Sequence, residues 1–346
     1  MEHKEDYMLP LVSFIIPTYN AEKHINKCLL SIEKQTYPKE RIEILVIDGG
    51  SSDRTLDITK RFSVKIIENV ARIAEVAKSL GIQAAQGKYV AIFDADNEIV
   101  QDEWLERMIL PLETDASIIG MDATYLVKRN DYIVNRYCTL LRLEDPLVRY
   151  MANLADNSVV EEKLGHSLYK IKDKRFPIFG SGGFIWRREI LDEIGIYIPR
   201  FDEAEFCIKV IEKGHTRIGF IKAMGIYHHH TENIAQFFGK RIRRGKEFIF
   251  RSLMTKDPKK KVSGVWLDKY SPWEFLRAVF LCISFIYPTY ECVKGYLRDK
   301  DVAWVLHPFL SFLTVIVYGF IFLKFKILHY NNCLVDLFFH KDKSHC

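Results

Sequence analysis

Short apolar runs and helical segments alternate through the first hundred residues of this chain. Four runs have the length and composition of buried β-strands: Val12–Ile16, Ile42–Ile47, Val64–Ile67 and Tyr89–Phe93. Between the first two runs, Ile25, Leu29 and Ile32 repeat at the spacing of one helix face. This alternation predicts βαβ units, and hence an α/β fold with a mostly parallel central sheet.

The run Tyr89–Phe93 ends at two aspartates one residue apart, Asp94 and Asp96. In an open α/β sheet, the carboxyl ends of the strands form the edge where ligands bind. Two carboxylates at that edge repel each other unless a cation lies between them, and Mg²⁺ and Mn²⁺ prefer oxygen ligands. The pattern predicts a site for a divalent ion shared with a diphosphate. The alternative is a pair of exposed turn or cap aspartates.

The net charge of the 346 residues is only +5, but the basic residues are concentrated. The segment from Thr231 to Trp273 carries eleven Lys and Arg against four Asp and Glu. A local basic band is typical of contact with phosphate or anionic lipid, and it does not indicate a nucleic-acid-binding protein. The alternative is a solvated helix face.

Motifs of several other protein classes are missing. Neither Gly-x-Gly-x-x-Gly nor a Walker loop follows the first strand, which argues against dinucleotide-binding and P-loop proteins. Seven cysteines are scattered without a Cys-x-x-Cys pair, which fits a reducing compartment and no zinc site. The polar start of the chain, up to Tyr7, has no signal-peptide pattern.

The segment Asn130–Arg175 is charged, aromatic and partly helical, and it interrupts the sheet pattern. We interpret it as an insertion over the site. The glycine-rich stretch Phe179–Phe184 follows, and its three glycines, Gly180, Gly182 and Gly183, would let a backbone approach a ligand closely. The alternative is a plain loop before a strand.

A helix is predicted over Asp202–Lys213, and Asp202, Glu203 and Glu205 lie in its first turn. Acids in a first turn also stabilise a helix through its dipole, so a purely structural role stays open. A last short strand is predicted at Ile218–Ile221, ahead of three consecutive histidines that begin at His228.

Four motifs occur in order: Val12–Asn20 (VSFIIPTYN), Ile44–Asp53 (ILVIDGGSSD), Gly87–Asp96 (GKYVAIFDAD), and Phe201–Phe206 followed by Tyr227–His229. The ordered set resembles the inverting glycosyltransferases of family 2, which have the GT-A fold. The resemblance covers about residues 10 to 230. The Gln-x-x-Arg-Trp motif of processive synthases is absent, because Gly239 and Lys240 follow Gln236. A processive polymerase is therefore not expected.

The resemblance implies a binding site for a nucleotide-sugar and a divalent ion, Mg²⁺ or Mn²⁺. The implied donor residues are Pro17, Thr18 and Tyr19 along the nucleobase pocket, Asp48 on the base, Lys78 near the diphosphate, and Asp94 at the ribose or the metal. The implied metal ligands are Asp96, Asp94 and His228.

The resemblance also implies a catalytic base at the start of a helix. The family's Glu-Asp pair is reversed here as Asp202-Glu203, so Glu203 takes the base role by position, and Asp202 and Glu205 stay alternatives. Gly182 and Gly183 would border the acceptor.

The C-terminal quarter is strongly apolar. Val302–Leu323 contains no Asp, Glu, Lys or Arg and, at a rise of ~1.5 Å per residue, is long enough to cross a bilayer. The uncharged stretch Ala278–Tyr290 is too short to span alone and contains Pro288. We expect a hydrophobic helical hairpin associated with a membrane, either spanning it or lying in its surface. The alternative is a buried hairpin of a soluble protein.

These observations predict a metal-dependent inverting glycosyltransferase at the cell membrane, with a cytoplasmic catalytic domain. Its expected donor is a UDP-sugar, and its expected acceptor a lipid-linked or cell-surface glycan. Three domains are expected: a catalytic domain at 1–230, a basic connecting segment at 231–272 and a membrane-associated region at 273–346. The alternatives are a sugar nucleotidyltransferase and a non-catalytic membrane scaffold on a transferase fold.

Overall fold

The structure is a computed structural model that describes residues 9–142, 145–152, 159–163, 165–170, 182–195, 200–254 and 271–330. The chain divides into two compact units. The first comprises Met1–Lys128 and Leu154–His230, and the second Arg129–Asn153 and Thr231–Cys346. The predicted three-domain division stays a prediction.

The described strands are β1 (Val12–Thr18), β2 (Ile42–Asp48), β3 (Lys65–Glu68), β4 (Tyr89–Ile92), β5 (Asn97–Ile99), β6 (Gly120–Tyr125), β7 (Val159–Lys163), β8 (His166–Lys170), β9 (Phe184–Arg187) and β10 (Arg217–His228). The described α-helices are α1 (Ile25–Glu33), α2 (Thr55–Thr59), α3 (Ala74–Ala84), α4 (Trp104–Thr114), α5 (Ile133–Leu140), α6 (Pro146–Ala152), α7 (Arg188–Ile194), α8 (Glu203–Glu212), α9 (Ile234–Met254), α10 (Pro272–Ile283), α11 (Ile286–Asp299) and α12 (Leu306–Tyr330).

The ten described strands of the first unit form one sheet in the order β3-β2-β1-β4-β9-β6-β10-β8-β7, with β5 paired to β10. The strands β3, β2, β1 and β4 are parallel, as predicted. The prediction of a mostly parallel sheet needs correction for the second half, which is mixed. There β9 is antiparallel to β4 and β6, and β10 is antiparallel to β8 and β5. Short buried apolar runs do not encode strand direction.

The sheet has an apolar core on each face because successive side chains of a strand point to opposite sides. Phe14 and Ile16 of β1 belong to the core that includes Leu29 of α1. Ile15, between them, belongs to the core that includes Phe206 of α8. This arrangement confirms the mixed α/β fold with a central sheet.

Strand β10 is much longer than the predicted strand Ile218–Ile221. It runs on to His228 after an irregularity between Phe220 and Gly225, where Ala223 has a positive φ of 64°. The sequence did not indicate this extension because the irregular segment interrupts the apolar pattern. The longer strand carries His228 to the carboxyl end of β4.

The predicted insertion Asn130–Arg175 divides between the two units. Its first part forms α5 and α6 in the second unit, and residues further on form the hairpin β7–β8, which pairs with β10. Residues 171–175 lie outside the described part of the chain. So do residues 179–181 of the glycine-rich stretch and the basic residues from Lys256 to Lys269.

The second unit contains the predicted apolar hairpin. Helices α10 and α11 meet at a bend of 68°, and Phe285 between them has a left-handed φ of 57°. By length and composition, one described helix could cross a membrane: residues Val302–Lys324, with a mean hydropathy of 2.0. If the bent pair α10–α11 is counted as one span, the described residues contain two candidate spans.

Helix α3 packs directly on β1 at Gly81, where a Cβ atom would collide with the side chain of Ile15. We expect Gly81→Ala to lower the free energy of unfolding by about 1–3 kcal/mol, because a well-packed core cannot take the extra methyl group. Thermal and urea unfolding would measure this. The matched control is Gly239→Ala in α9, where no atom lies within 4 Å of the added Cβ. The prediction fails if Gly81→Ala lowers the free energy of unfolding no more than Gly239→Ala does.

Candidate functional site

Three side chains of metal-ligand type meet where β4 ends. One ligand atom from each of Asp94, Asp96 and His228 lies within 4.8 Å of the other two. His228 Nε2 is 3.3 Å from Asp96 Oδ1, and His228 is 7% exposed. The pairing of β10 with β5 sets His228 opposite Asn97, and the His229 amide donates to the Asp96 carbonyl at 2.9 Å.

This donor set fits a hard divalent ion. Ligand atoms of an octahedral ion with bonds of about 2.1 Å are about 3.0 to 4.2 Å apart, and the ligand atoms of the cluster lie within 4.8 Å of one another. Two carboxylates and one imidazole suit Mg²⁺ or Mn²⁺ in an oxygen-rich site. Asp94 and Asp96 are half-buried, so one side of the cluster is open to a ligand. The predicted ligands are therefore brought together in one place.

A cysteine lies next to the acidic pair without competing for a metal. The Cys28 thiol is 3.8 Å from the Asp94 carbonyl oxygen, to which it donates. Burial raises the pKa of the Cys28 thiol well above its ordinary value, and the charges of Asp96 and Asp94 raise it further. Cys28 therefore stays protonated and is a packing residue.

His229 and its neighbours brace the loop that carries Asp96. His229 Nε2 lies 3.0 Å from Glu98 Oε2, and the His229 ring stacks on His24 at a centroid distance of 5.2 Å. Because His229 also holds the Asp96 carbonyl through its amide, these contacts fix the backbone on both sides of the cluster.

Lys78 and Glu203 form an ion pair beside Asp94. Lys78 Nζ donates to Glu203 Oε1, and the two side chains are only 13% and 20% exposed. Burial raises the pKa of Glu203 above its ordinary value; the Lys78 charge opposes this rise, and the Asp94 charge adds to it. Burial alone would lower the pKa of Lys78, but the charges of Glu203 and Asp94 outweigh it, so the pKa is raised. Lys78 therefore stays charged.

The two alternatives to Glu203 have structural partners. Asp202 is the N-cap of α8, and its carboxylate accepts from the Glu205 amide at 3.1 Å. Glu205 Oε1 lies 3.0 Å from Lys209 Nζ, one helical turn on. Glu203 is the first helical residue and pairs with Lys78, and its role as the base stays a prediction.

The predicted nucleobase residues lie at the neighbouring strand ends. Thr18 and Asp48 are paired across β1 and β2. Tyr19, next to Thr18, is 58% exposed and free to stack on a ring. The buried Asp48 carboxylate accepts from the Gly50 and Ser51 amides at 2.8 and 2.9 Å and from the Ser51 hydroxyl at 2.6 Å. Asp48 therefore shapes the turn and keeps capacity for one further hydrogen bond.

Gly182 lies against Asp94 of the metal-ligand-type cluster because β9 starts where β4 ends. The Gly183 amide donates to the Ile92 carbonyl at 2.7 Å, and Tyr125 donates to the Gly182 carbonyl at 2.7 Å. A side chain at Gly182 would collide with Asp94 Oδ2. Gly183 has a positive φ of 90°. The absence of side chains here keeps the approach to Asp94 open.

Sequence reasoning missed two residues that lie beside the predicted site residues. Asn97 is 1% exposed, and neither amide atom has a hydrogen-bond partner among the described residues. Its Nδ2 is 3.1 Å from the position that a Gly182 Cβ would take. In the sequence, the position of Asn97 directly after Asp94 and Asp96 is the signal that could have indicated it. Arg72, with a positive φ of 55°, lies beside Gly50, and no sequence pattern indicates it.

The family model described as "Glycosyl transferase family 2" matches residues 13–195, more than half of the chain. The chain belongs to glycosyl transferase family 2. The match includes the acidic pair and the strands β1 and β2, and it ends before the helix that carries Glu203. The residue roles within the site stay predictions.

Named relatives match parts of the chain. It is 33% identical over 143 residues to Glycosyltransferase AglE of Haloferax volcanii, covering 39% of this chain and 47% of that one. It is 43% identical over 98 residues to the dolichyl N-acetyl-alpha-D-glucosaminyl phosphate 3-beta-D-2,3-diacetamido-2,3-dideoxy-beta-D-glucuronosyltransferase of Methanococcus voltae, covering 26% of this chain and 30% of that one. The matched region is thus less than half the length of either relative.

A solved structure has a similar fold. Mannosyltransferase PcManGT from Pyrobaculum calidifontis, in complex with GDP-Man and Mn²⁺, superposes with a TM-score of 0.53 at 17% identity. The likeness covers 90% of this chain and 86% of that one. At this identity it shows the fold, and it confirms the predicted GT-A type.

The unpartnered amide of Asn97 gives a stability prediction. We expect Asn97→Leu to raise the free energy of unfolding without ligand by about 1–3 kcal/mol, because it removes a buried polar group that lacks a partner. The same change should reduce the rise in melting temperature caused by nucleotide-sugar and Mn²⁺. The matched control is Asn135→Leu, which removes satisfied hydrogen bonds to Asp131 and Thr231 and should destabilise the protein. The prediction is contradicted if Asn97→Leu is less stable than wild type and still shows the full rise in melting temperature with nucleotide-sugar and Mn²⁺.

The Lys78–Glu203 pair gives a pH prediction. In Lys78→Met the pKa of Glu203 should rise further, since the opposing charge is gone. A carboxyl whose folded pKa is raised loses stability as pH increases above its unfolded pKa. The variant should therefore be less stable than wild type by about 3 kcal/mol at neutral pH and closer to it in acid. Unfolding free energies across pH would measure this, and Lys78→Met with Glu203→Gln should remove the extra pH dependence. If Lys78→Met is less stable than wild type by the same free energy at every pH, the variant has lost packing alone.

Proposed function

We propose that this chain is a metal-dependent inverting glycosyltransferase, which moves a sugar from a UDP-sugar to a lipid-linked or cell-surface glycan. The observation that carries the proposal is the meeting of two groups of residues at one edge of the sheet. The metal-ligand cluster of Asp94, Asp96 and His228 lies there, and the Lys78–Glu203 pair lies within electrostatic reach of Asp94. A nucleotide-sugar transferase needs both a diphosphate site and a base.

In this proposal the nucleotide lies along the ends of β1 and β2. The exposed Tyr19 ring stacks on the base, and Asp48 accepts a hydrogen bond from it. Asp94, Asp96 and His228 would hold Mg²⁺ or Mn²⁺. The ion would supply charge neutralisation for the leaving diphosphate. Gly182 leaves room beside Asp94 for the sugar and the acceptor.

Glu203 acts as the general base. As the acceptor oxygen bonds to the anomeric carbon, the bond from that carbon to the diphosphate oxygen breaks, and Glu203 takes the acceptor's hydroxyl proton. Attack opposite the leaving group inverts the anomeric centre. The Lys78 charge favours the ionised form of the buried Glu203, since it lowers the pKa that burial raises. Base catalysis of this kind typically contributes ~10²–10⁴-fold in rate.

The named relatives support the acceptor class. The Methanococcus voltae enzyme is named for a dolichyl phosphate-linked sugar acceptor, which is a lipid-linked glycan. An acceptor in a membrane, together with an apolar C-terminal helix, favours a position at the cell membrane with the catalytic unit in the cytoplasm. Nucleic acid is not a partner in this proposal.

A binding screen would test the donor. The full chain would be heated with UDP-, GDP- or CMP-sugars, each with and without Mn²⁺ or Mg²⁺. We expect the largest rise in melting temperature with a UDP-sugar and Mn²⁺. A larger response to a GDP-sugar would overturn the donor assignment, and a response independent of metal would overturn the metal site.

Two substitutions separate metal binding from proton transfer. We expect Asp96→Ala to abolish both sugar transfer and the Mn²⁺-dependent rise in melting temperature. Glu203→Gln should lower the turnover number by about 10²–10⁴-fold and keep the donor response, because it removes only the base. The control is Asp192→Asn on α7, whose side chain is 65% exposed. Nucleoside diphosphate release would be measured, and wild-type turnover in either site variant would refute the assignment.

A further inference from the structure

Helix α12 buries a polar stripe. His307, Ser311 and Thr314 are fully buried, and Tyr318 donates to Asp145 Oδ2 at 2.7 Å. These residues recur every three or four positions, so they lie on one side of the helix. On that side, His307 contacts the hydroxyls of Tyr137 and Tyr150 at 2.9 and 2.8 Å. The polar side of α12 therefore faces the interior of the second unit.

The opposite side of α12 is apolar and exposed. Its side chains are between 40% and 68% exposed, and they are Phe309, Leu313, Ile316, Phe320 and Leu323. At about 100° per residue, this stripe points away from the polar one. The helix is thus inverted relative to a surface helix of a water-soluble protein, which buries its apolar face.

Helices α10 and α11 continue the same pattern. On α10 the exposed stripe is Trp273, Leu276, Phe280 and Ile283, and on α11 it is Ile286, Tyr290, Val293 and Leu297. At the bend between them, the Phe285 ring lies 6.0 Å from the Phe309 ring and 5.2 Å from the Phe312 ring of α12. The three stripes therefore meet in one apolar surface, which we call the docking face.

A lipid layer is the occupant that suits the docking face. The face is far larger than the scattered apolar side chains of ordinary protein surfaces. Its Trp and Tyr side chains are types that collect at membrane–water interfaces. The exposed charged side chains of α10 and α11 are basic: Arg277, Lys294 and Arg298. They match the negative surface of an anionic leaflet.

Crossing the bilayer does not fit the packing of α12. Helix α9 lies against α12 so closely that a Cβ at Gly245 would be 3.1 Å from Ile321 Cδ1. Arg243 and Lys246, on either side of Gly245, are exposed. If α12 spanned the membrane, α9 would lie beside the last turns of the span, and these two cations would be held at or inside the edge of the hydrocarbon, which is costly. Helices α10 and α11, with 12 and 14 residues, are also each shorter than a span and meet at 68°.

We propose that α10, α11 and α12 lie in the interfacial layer of one leaflet through the docking face, and that none of them crosses the bilayer. The proposal rests on the membrane association proposed above. It goes further in fixing the mode of attachment, since length and composition alone make α12 a candidate span.

The mode of attachment can be tested by mapping the membrane topology of the chain. Sealed, inverted membrane vesicles would be prepared from bacterial cells that express it. An epitope placed after Cys346 should be digested by added protease without detergent. Lys300→Cys, at the exposed end of α11, should react with a membrane-impermeant maleimide from the same side. If α12 alone crosses, the epitope is protected. If the bent pair and α12 both cross, the epitope is digested but position 300 is protected. Either result overturns the proposal.

Binding to lipid tests the docking face. The full chain should float with vesicles of phosphatidylcholine and phosphatidylglycerol, and Ile316→Ser with Phe320→Ser should weaken the partition coefficient at least tenfold without lowering the melting temperature. The matched control is Val70→Ser with Leu110→Ser, two exposed apolar residues of the first unit. The proposal is overturned if the wild-type chain does not float with the vesicles. It is also overturned if both double variants lose vesicle binding to the same extent. The nucleotide-sugar melting response reports the transferase proposal separately.

Discussion

The candidate site depends on the antiparallel pairing of β5 with β10. This pairing carries His228 from a distant part of the sequence to Asp96 and sets it opposite Asn97. A second antiparallel strand, β9, starts at the end of β4 and brings Gly182 against Asp94. The parallel half of the sheet supplies Asp94 and the strands that carry the predicted nucleobase residues, and the mixed half supplies His228 and Gly182. Without these returning strands, the acidic pair would be an ordinary surface turn.

The site holds unfavourable electrostatics that a ligand could relieve. Asp94 and Asp96 lie close together, and their charges raise the pKa of the neighbouring Cys28. The Asn97 amide is buried without a partner among the described residues. Such groups cost free energy in the unliganded protein, and functional sites commonly retain them for that reason. Lys78 offsets part of the negative charge by pairing with Glu203.

Much of the first unit could be predicted from the sequence because its signals are local. The runs that became β1, β2 and β4 are mostly apolar, and an acid, Asp48 or Asp94, stands at the end of the second and the third. Strand direction, the irregular passage of β10 near Ala223 and the pairing of Lys78 with Glu203 could not be predicted, because they depend on contacts between residues far apart in the chain. The same limit applies to Asn97, whose lack of a partner is visible only in three dimensions.

The buried side of α12 has a consequence for shortening the chain. The hydroxyl of Tyr137 and the carboxylate of Asp145 both have partner atoms on that helix, at His307 and Tyr318. Ending the chain before Leu306 to make it easier to handle in water would remove an apolar exterior and also open a polar interior. The remaining helices would then present unmatched donors and acceptors. Under the membrane attachment proposed above, detergent or lipid is a better route to a homogeneous sample than truncation.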